Sequence, residues 1–155
     1  MLTHFPTPYR DETFYSIVAR YHYQSGNLSY KYTLQDLFQT TKIRPDNLFF
    51  VNLQALEDNL PSNLNSKYLL YNHTLLNYYL PFLFSKQGIE LEQQLLNPSK
   101  NEVTKILGIN ASQISESKTL YHCEEYLKED IEKYGESYWH RVHQLPSVFI
   151  CPYHK

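Results

Sequence analysis

Both cysteines of this 155-residue chain fall in its last fifth, and the second opens the run Cys151-Pro152-Tyr153-His154. Two residues between donors let both side chains turn onto one ion. A tetrahedral zinc commonly takes two such close pairs brought together from a distance. The first pair would start at Cys123 and want a second donor at position 126, which is Tyr126. The same stretch carries the single Trp, Trp139, and four of the seven histidines: His122, His140, His143 and His154. A unit this small cannot hold itself together by burial alone, and a metal commonly supplies the missing stability at this scale.

The remaining composition narrows the class. The length fits one domain, or one domain with a small appendage. No stretch approaches the roughly 18 apolar residues of a membrane span, and the N-terminus is polar and Pro-rich, without a signal-peptide core. Two cysteines do not make a disulfide framework, so the reading is a reducing cytoplasm; a Cys123–Cys151 disulfide is the alternative. Net charge is −2, from 14 basic and 16 acidic residues. That argues against a strongly basic nucleic-acid clamp and leaves room for a local basic face. The 15 Tyr and 8 Phe suit half-buried helix faces and interfaces.

Along the chain, Pro6 and Pro8 mark an extended arm. Asp11 reads as an N-cap, with Glu12 in the first turn. Phe14, Ile17, Val18 and Tyr21 follow at i, i+3, i+4 and i+7, one face of a helix that Gly26 stops. Thr33 and Asp36 read as a capping box for a second helix with Leu34, Leu37 and Phe38 inward. Pro45 opens a third, with Leu48, Val51 or Asn52, Ala55 and Leu56 at helical spacing, and Pro61 ends it. Two short helices joined by a turn fit a helix-turn-helix, with Lys31, Lys42 and Arg44 near enough to meet phosphate; an ordinary helical hairpin with a solvated face is the commoner reading of such a pair. Residues 62–72 read as loop or short helix. Asn72 caps a segment that Pro81 kinks or ends, and helices follow over 86–96 and 100–107. A Ser-rich connector over 109–119 leads into the last unit, where residues 124–133 read as a helix ended by Gly135 and Val148-Phe149-Ile150 as a short β-like run.

The last unit then becomes specific. Glu129-Asp130, Tyr134-Gly135, Tyr138-Trp139, Arg141, His143-Gln144-Leu145-Pro146, Cys151-Pro152 and His154 together resemble the first zinc motif of the TniQ/TnsD family, the target-site selectors of bacterial cut-and-paste transposons. The N-terminal run Phe5-Pro6-Thr7-Pro8-Tyr9-Arg10-Asp11-Glu12-Thr13-Phe14-Tyr15-Ser16 is similar to that family's opening. The chain departs from the pattern at Tyr126, where a cysteine is expected, at Glu124 and at Ser147. The resemblance implies a mainly α fold: an N-terminal helical domain over residues 1–118 with a helix-turn-helix-like pair, then a zinc-ribbon-like α+β module over residues 119–155. Family members are similar to longer proteins that continue into a second zinc motif, so the module is expected to be cut at its C-terminal side.

Candidate Zn2+ ligands are Cys123, Cys151 and His154, with His122, Tyr126 as phenolate, Glu125 or water as the fourth. A metal-free relic, with Tyr126 filling the gap, stands as the alternative. Trp139 is expected to pack the module onto the helices, and His143 and Gln144 to satisfy backbone groups at a turn closed by Pro146. Arg141 is expected to meet an acidic neighbour or phosphate. The function the resemblance implies is target-site selection, not catalysis: binding double-stranded target DNA, directly or through another DNA-bound complex, and recruiting an AAA+ ATPase regulator. The rivals are a sequence-specific DNA-binding regulatory domain and a small metalloenzyme.

Overall fold

A computed structural model describes residue 2 and residues 4–43, 49, 52–97, 103–108, 119–146 and 148–154. Helix α1 (Phe14–Ser25) is capped by Thr13, whose hydroxyl accepts from Ser16 N–H, and ends at Gly26 with φ 68°, a left-handed turn that glycine enters without a Cβ clash. Asp11 is therefore not the cap. Its backbone is itself left-handed, at φ 58°, which turns its carboxylate away from the helix and toward the end of the chain. Helix α2 (Tyr30–Phe38) starts earlier than the spacing suggested, because Ser29 caps it. Thr33, expected as the cap, is buried inside α2 and takes His22 and Asn27 on its hydroxyl.

The next described element after α2 is a 3-10 helix, Leu53–Asn59, not a recognition-type α-helix. Arg44, Pro45, Leu48 and Val51, expected in the turn and its helix, lie outside the described residues. Helix α3 (Ser66–His73) is capped by Asn65; Asn72, expected as a cap, lies within it. A break at Thr74 and Leu75 leads into the short α4 (Leu76–Tyr79), and Pro81 sits in the 3-10 turn that follows, Leu80–Phe82. Helices α5 (Ser85–Leu96) and α6 (Val103–Ile106) complete the helical part, and α7 (Glu124–Tyr134) ends at Gly135.

The apolar faces read from the sequence do meet. Phe14, Ile17 and Val18 of α1 pack with Leu34, Leu37 and Phe38 of α2, Leu53 and Leu56 of the 3-10 helix, Leu69 and Leu70 of α3, Leu76 of α4, and Leu91 and Leu95 of α5. Each such side chain contributes about 1.5–3 kcal/mol on burial. The α+β expectation for the end of the chain does not hold among the described residues. Val148–Ile150 form no strand, and Phe149 and Ile150 stand 91% and 77% exposed. The β contact is one isolated antiparallel bridge between Glu12 and His140. A β-like run needs a partner edge to become a strand, and the described residues give this one none. No described helix is long and apolar enough to cross a membrane.

Candidate metal centre and the junction behind it

The two ends of the chain meet. Thr13 N–H donates to Trp139 O at 2.8 Å, and Arg141 N–H donates to Asp11 O at 2.7 Å. The left-handed Asp11 lets its carboxylate accept from Val142 N–H at 3.0 Å and from Arg141 Nε at 3.0 Å. Arg141 also donates to Tyr71 O and Thr74 O at the end of α3, each at 3.2 Å. Its guanidinium is thus spent on protein acceptors: of the two partners expected for it, the acidic neighbour is the one present. Lys31 and Lys42 are exposed.

Beside this pair lies a second one that the sequence did not single out. Glu12 is fully buried and accepts from Tyr9 N–H at 2.9 Å and from Arg20 at 3.1 Å. Arg20 bridges onward to Glu136 at 2.8 Å, donates to Thr7 O, and lies 3.9 Å over the Tyr9 ring. Burial raises the Glu12 carboxyl above the ordinary range; the Tyr9 amide and Arg20 offset part of that. A carboxylate this deep costs free energy even when paired, so the arrangement fixes position more than it adds stability. Arg20 could have been found: it is the single basic residue of α1 apart from its histidine, directly before Tyr21 and off the apolar face.

The buried side chains of residues 119–154 are Asp130, His140, His143 and Gln144. His140 Nε2 donates to Asp130 at 2.8 Å, with Tyr138 stacked at 4.2 Å on its ring. Gln144 does what was expected of it, donating to Tyr121 O and His140 O while Tyr121 N–H donates to its carbonyl. His143 does not: neither ring nitrogen has a partner, and burial lowers its basicity, with His140 adding to the effect. Trp139 is half-buried, tied by its backbone to the start of α1, with the His122 ring against it at 6.0 Å.

Cys123 stands at the N-cap of α7, and the end of the chain returns to it, which brings Cys123, Cys151 and His154 together. Their donor atoms all lie within 4.8 Å of one another. His154 Nδ1 is 3.4 Å from Cys123 Sγ and 3.7 Å from Cys151 Sγ. A tetrahedron built on zinc–sulfur and zinc–nitrogen bonds of about 2.3 and 2.05 Å has a sulfur–nitrogen edge of roughly 3.6 Å. The observed separations bracket that edge, and all three donors lie within 4.8 Å of one another, so the nitrogen–sulfur geometry fits a tetrahedral ion. The far side of the imidazole, Nε2, meets Glu129 at 3.2 Å, the carboxylate that typically orients a ligating histidine. Bonding to Cys123, with Glu129 adding to it, holds the His154 imidazole above its ordinary range.

The fourth-ligand candidates go elsewhere. His122 faces Trp139, and Glu125 is paired with Lys128 at 2.8 Å. The Tyr126 ring packs among His140, His143, Tyr153 and His154, with centroids 4.4 to 6.0 Å away. Burial, Tyr153 and Cys151 raise its phenol, which disfavours a phenolate ligand.

A cleft of about 1140 Å³ opens between α3–α4 and α7, lined by Tyr9, Tyr68, Tyr78, Tyr134 and Tyr138 among others, with Asp11 and Arg141 in its wall. His73 also lines it: its Nδ1 donates to Glu12 O at 2.7 Å, and Nε2 is buried without a partner. Burial pushes the His73 imidazole down to about 4, so it is neutral.

The TniQ family model matches residues 3–155 of the chain. Over 155 residues the chain is 26% identical to the transposon Tn7 transposition protein TnsD of Escherichia coli, an alignment covering 99% of this chain and 30% of that protein.

Proposed function

This chain belongs to the TniQ family, and on that premise we propose that it acts as an adaptor in selecting the insertion site of a transposon, recruiting an AAA+ ATPase regulator rather than doing chemistry itself. The observation that carries the reading is the meeting of the chain's two ends. The runs that resemble the family, one at each terminus, close on the same ionic junction and line the same Tyr-rich cleft. Tyr has an apolar body and a polar tip, and is enriched where proteins dock on proteins. The net charge of −2 also favours a protein partner over a phosphate-rich one. Cys123, Cys151 and His154 hold zinc as a structural ion that anchors the last residues to α7. Lys31 and Lys42 supply what direct contact there is with target DNA, too few charges for tight non-specific binding.

The test is binding of the purified chain to the AAA+ regulator of the same transposon and to duplex DNA, each across a range of salt. The adaptor reading expects ATPase binding that survives rising salt, and DNA binding that is weak. Steep, salt-dependent DNA binding with no affinity for the ATPase would instead make this a sequence-specific DNA-binding regulatory domain.

A further inference from the structure

We propose that the Cys123/Cys151/His154 site holds its ion with three protein ligands and keeps the fourth position for an exchangeable thiolate from outside the chain. The inference rests on the zinc reading above and adds to it. The three donors are the whole of the His, Cys, Asp or Glu cluster that the described residues bring within reach of one ion. Each nearby alternative is committed: His122 against Trp139, Glu125 to Lys128, and Glu129 to the far nitrogen of His154.

Buried His143 has two unpartnered nitrogens, but the Tyr126 ring stands between it and the site, 5.4 Å from His143 and 4.6 Å from His154. Tyr126 occupies the place from which a second residue of α7 would reach the ion, and fills it with a ring packed among histidines. Cys123, Cys151 and His154 are all half-buried, with Tyr153 exposed beside them, so the site reaches solvent. A zinc left with three protein ligands takes a fourth from solvent. With two sulfurs already bound, the ion is soft enough to prefer thiolate over oxygen donors.

The experiment loads the reduced, metal-free full chain with Co2+ and reads its d–d and thiolate charge-transfer bands, with and without β-mercaptoethanol as the probe. The wild type is expected to bind one Co2+ and to gain charge-transfer intensity saturably on adding the thiol, by about half, as two thiolates become three. Tyr126→Cys is expected to start at the higher intensity, to ignore the thiol, and to bind zinc more than a hundredfold tighter, since loss of an outer partner alone costs about 10–100-fold. A wild-type spectrum that binds Co2+ but does not respond to the thiol would overturn the open position while leaving the metal site standing. Failure of the wild type to bind Co2+ at all, with or without binding by Tyr126→Cys, would overturn the zinc reading, and this inference with it.

Discussion

Helices α1 to α5 bury mainly apolar side chains, whereas the described residues of the segment 119–154 bury only polar ones. The helical part encloses Phe, Ile, Val and Leu from six elements, many of them with no exposed surface. Fully inside the segment are a carboxylate, two histidines and a glutamine. Burying apolar area is non-directional and tolerates small shifts; burying polar groups stabilises only when each finds its partner at the right distance. The difference teaches where each region gets its position. The helical part is held by the amount of surface it hides. The segment is held at points: the Glu12–Arg20–Glu136 bridge, the Asp11–Arg141 pair and the sulfur site.

The strongest way to break that contrast is at Glu12. Glu12→Ala removes the buried carboxylate and leaves Arg20 with Glu136 alone, and breaking such a pair costs about 3 kcal/mol, the low end of the range for buried pairs because one partner stays. At the 2–4 °C per kcal/mol typical of this size, the midpoint of thermal unfolding should fall by roughly 10 °C. Amide exchange should show where: loss of protection across α7 and residues 138–144, with α2 and α5 protected as before. Equal loss everywhere would mean that the two regions form one cooperative unit and that the contrast has no thermodynamic meaning.

A smaller effect comes from His73, which ties the end of α3 to the residues before α1 by donating to Glu12 O. Its folded pKa of about 4 lies below the free value of 6.5. A depressed pKa contributes stability that is present above pH 6.5 and lost as pH falls through about 4, because the unfolded chain takes up the proton first. The loss is about 3 kcal/mol at most. Denaturant unfolding across pH 7 to 4 should show that slope, and His73→Gln should flatten it.

Below that comes the metal. If zinc anchors only the end of the chain, a chelator should leave the helical circular dichroism signal unchanged while residues 148–154 become open to protease. His154→Ala should do the same without chelator, and plasma mass spectrometry should find its zinc gone. A chelator that melted α1 to α5 would place the ion in the foundation of the fold.

The sequence was most legible where burial is apolar. Phe14, Ile17, Val18 and Tyr21 mark the inner face of α1 by spacing alone, and Leu34, Leu37 and Phe38 that of α2, because a period of 3.6 residues is written in residue type. The trio Cys123, Cys151 and His154 was legible from donor chemistry and spacing. The junction was not. Asp11 was read as a cap and Glu12 as a first-turn charge, since near a helix start those are the local uses of a carboxylate. Asp11's true partner, Arg141, is set by the return of the chain 130 residues later and by the left-handed backbone at Asp11, neither of which has a period, and Glu12's partner, Arg20, lies on α1 itself and bridges onward to Glu136. His143 failed for a similar reason: its neighbours are the rings of Tyr126 on α7 and of His140, not backbone groups at its own turn.

The smallest expected effect sharpens the contrast from the surface. Lys31, in the first turn of α2, and Lys42, four residues past its end, are both exposed and take no part in the junction or the sulfur site. Replacing either by Ala should change stability by no more than about 0.5 kcal/mol. If they meet phosphate, each change should lower the slope of log affinity against log salt by about one unit, uniformly across DNA sequences, because such contacts carry charge and no base information. Binding to the ATPase should then stay as it was, since α2 lies outside the cleft lining. A loss of ATPase binding in Lys31→Ala would move the docking surface from the polar, junction-built side of the molecule to its apolar, helical side.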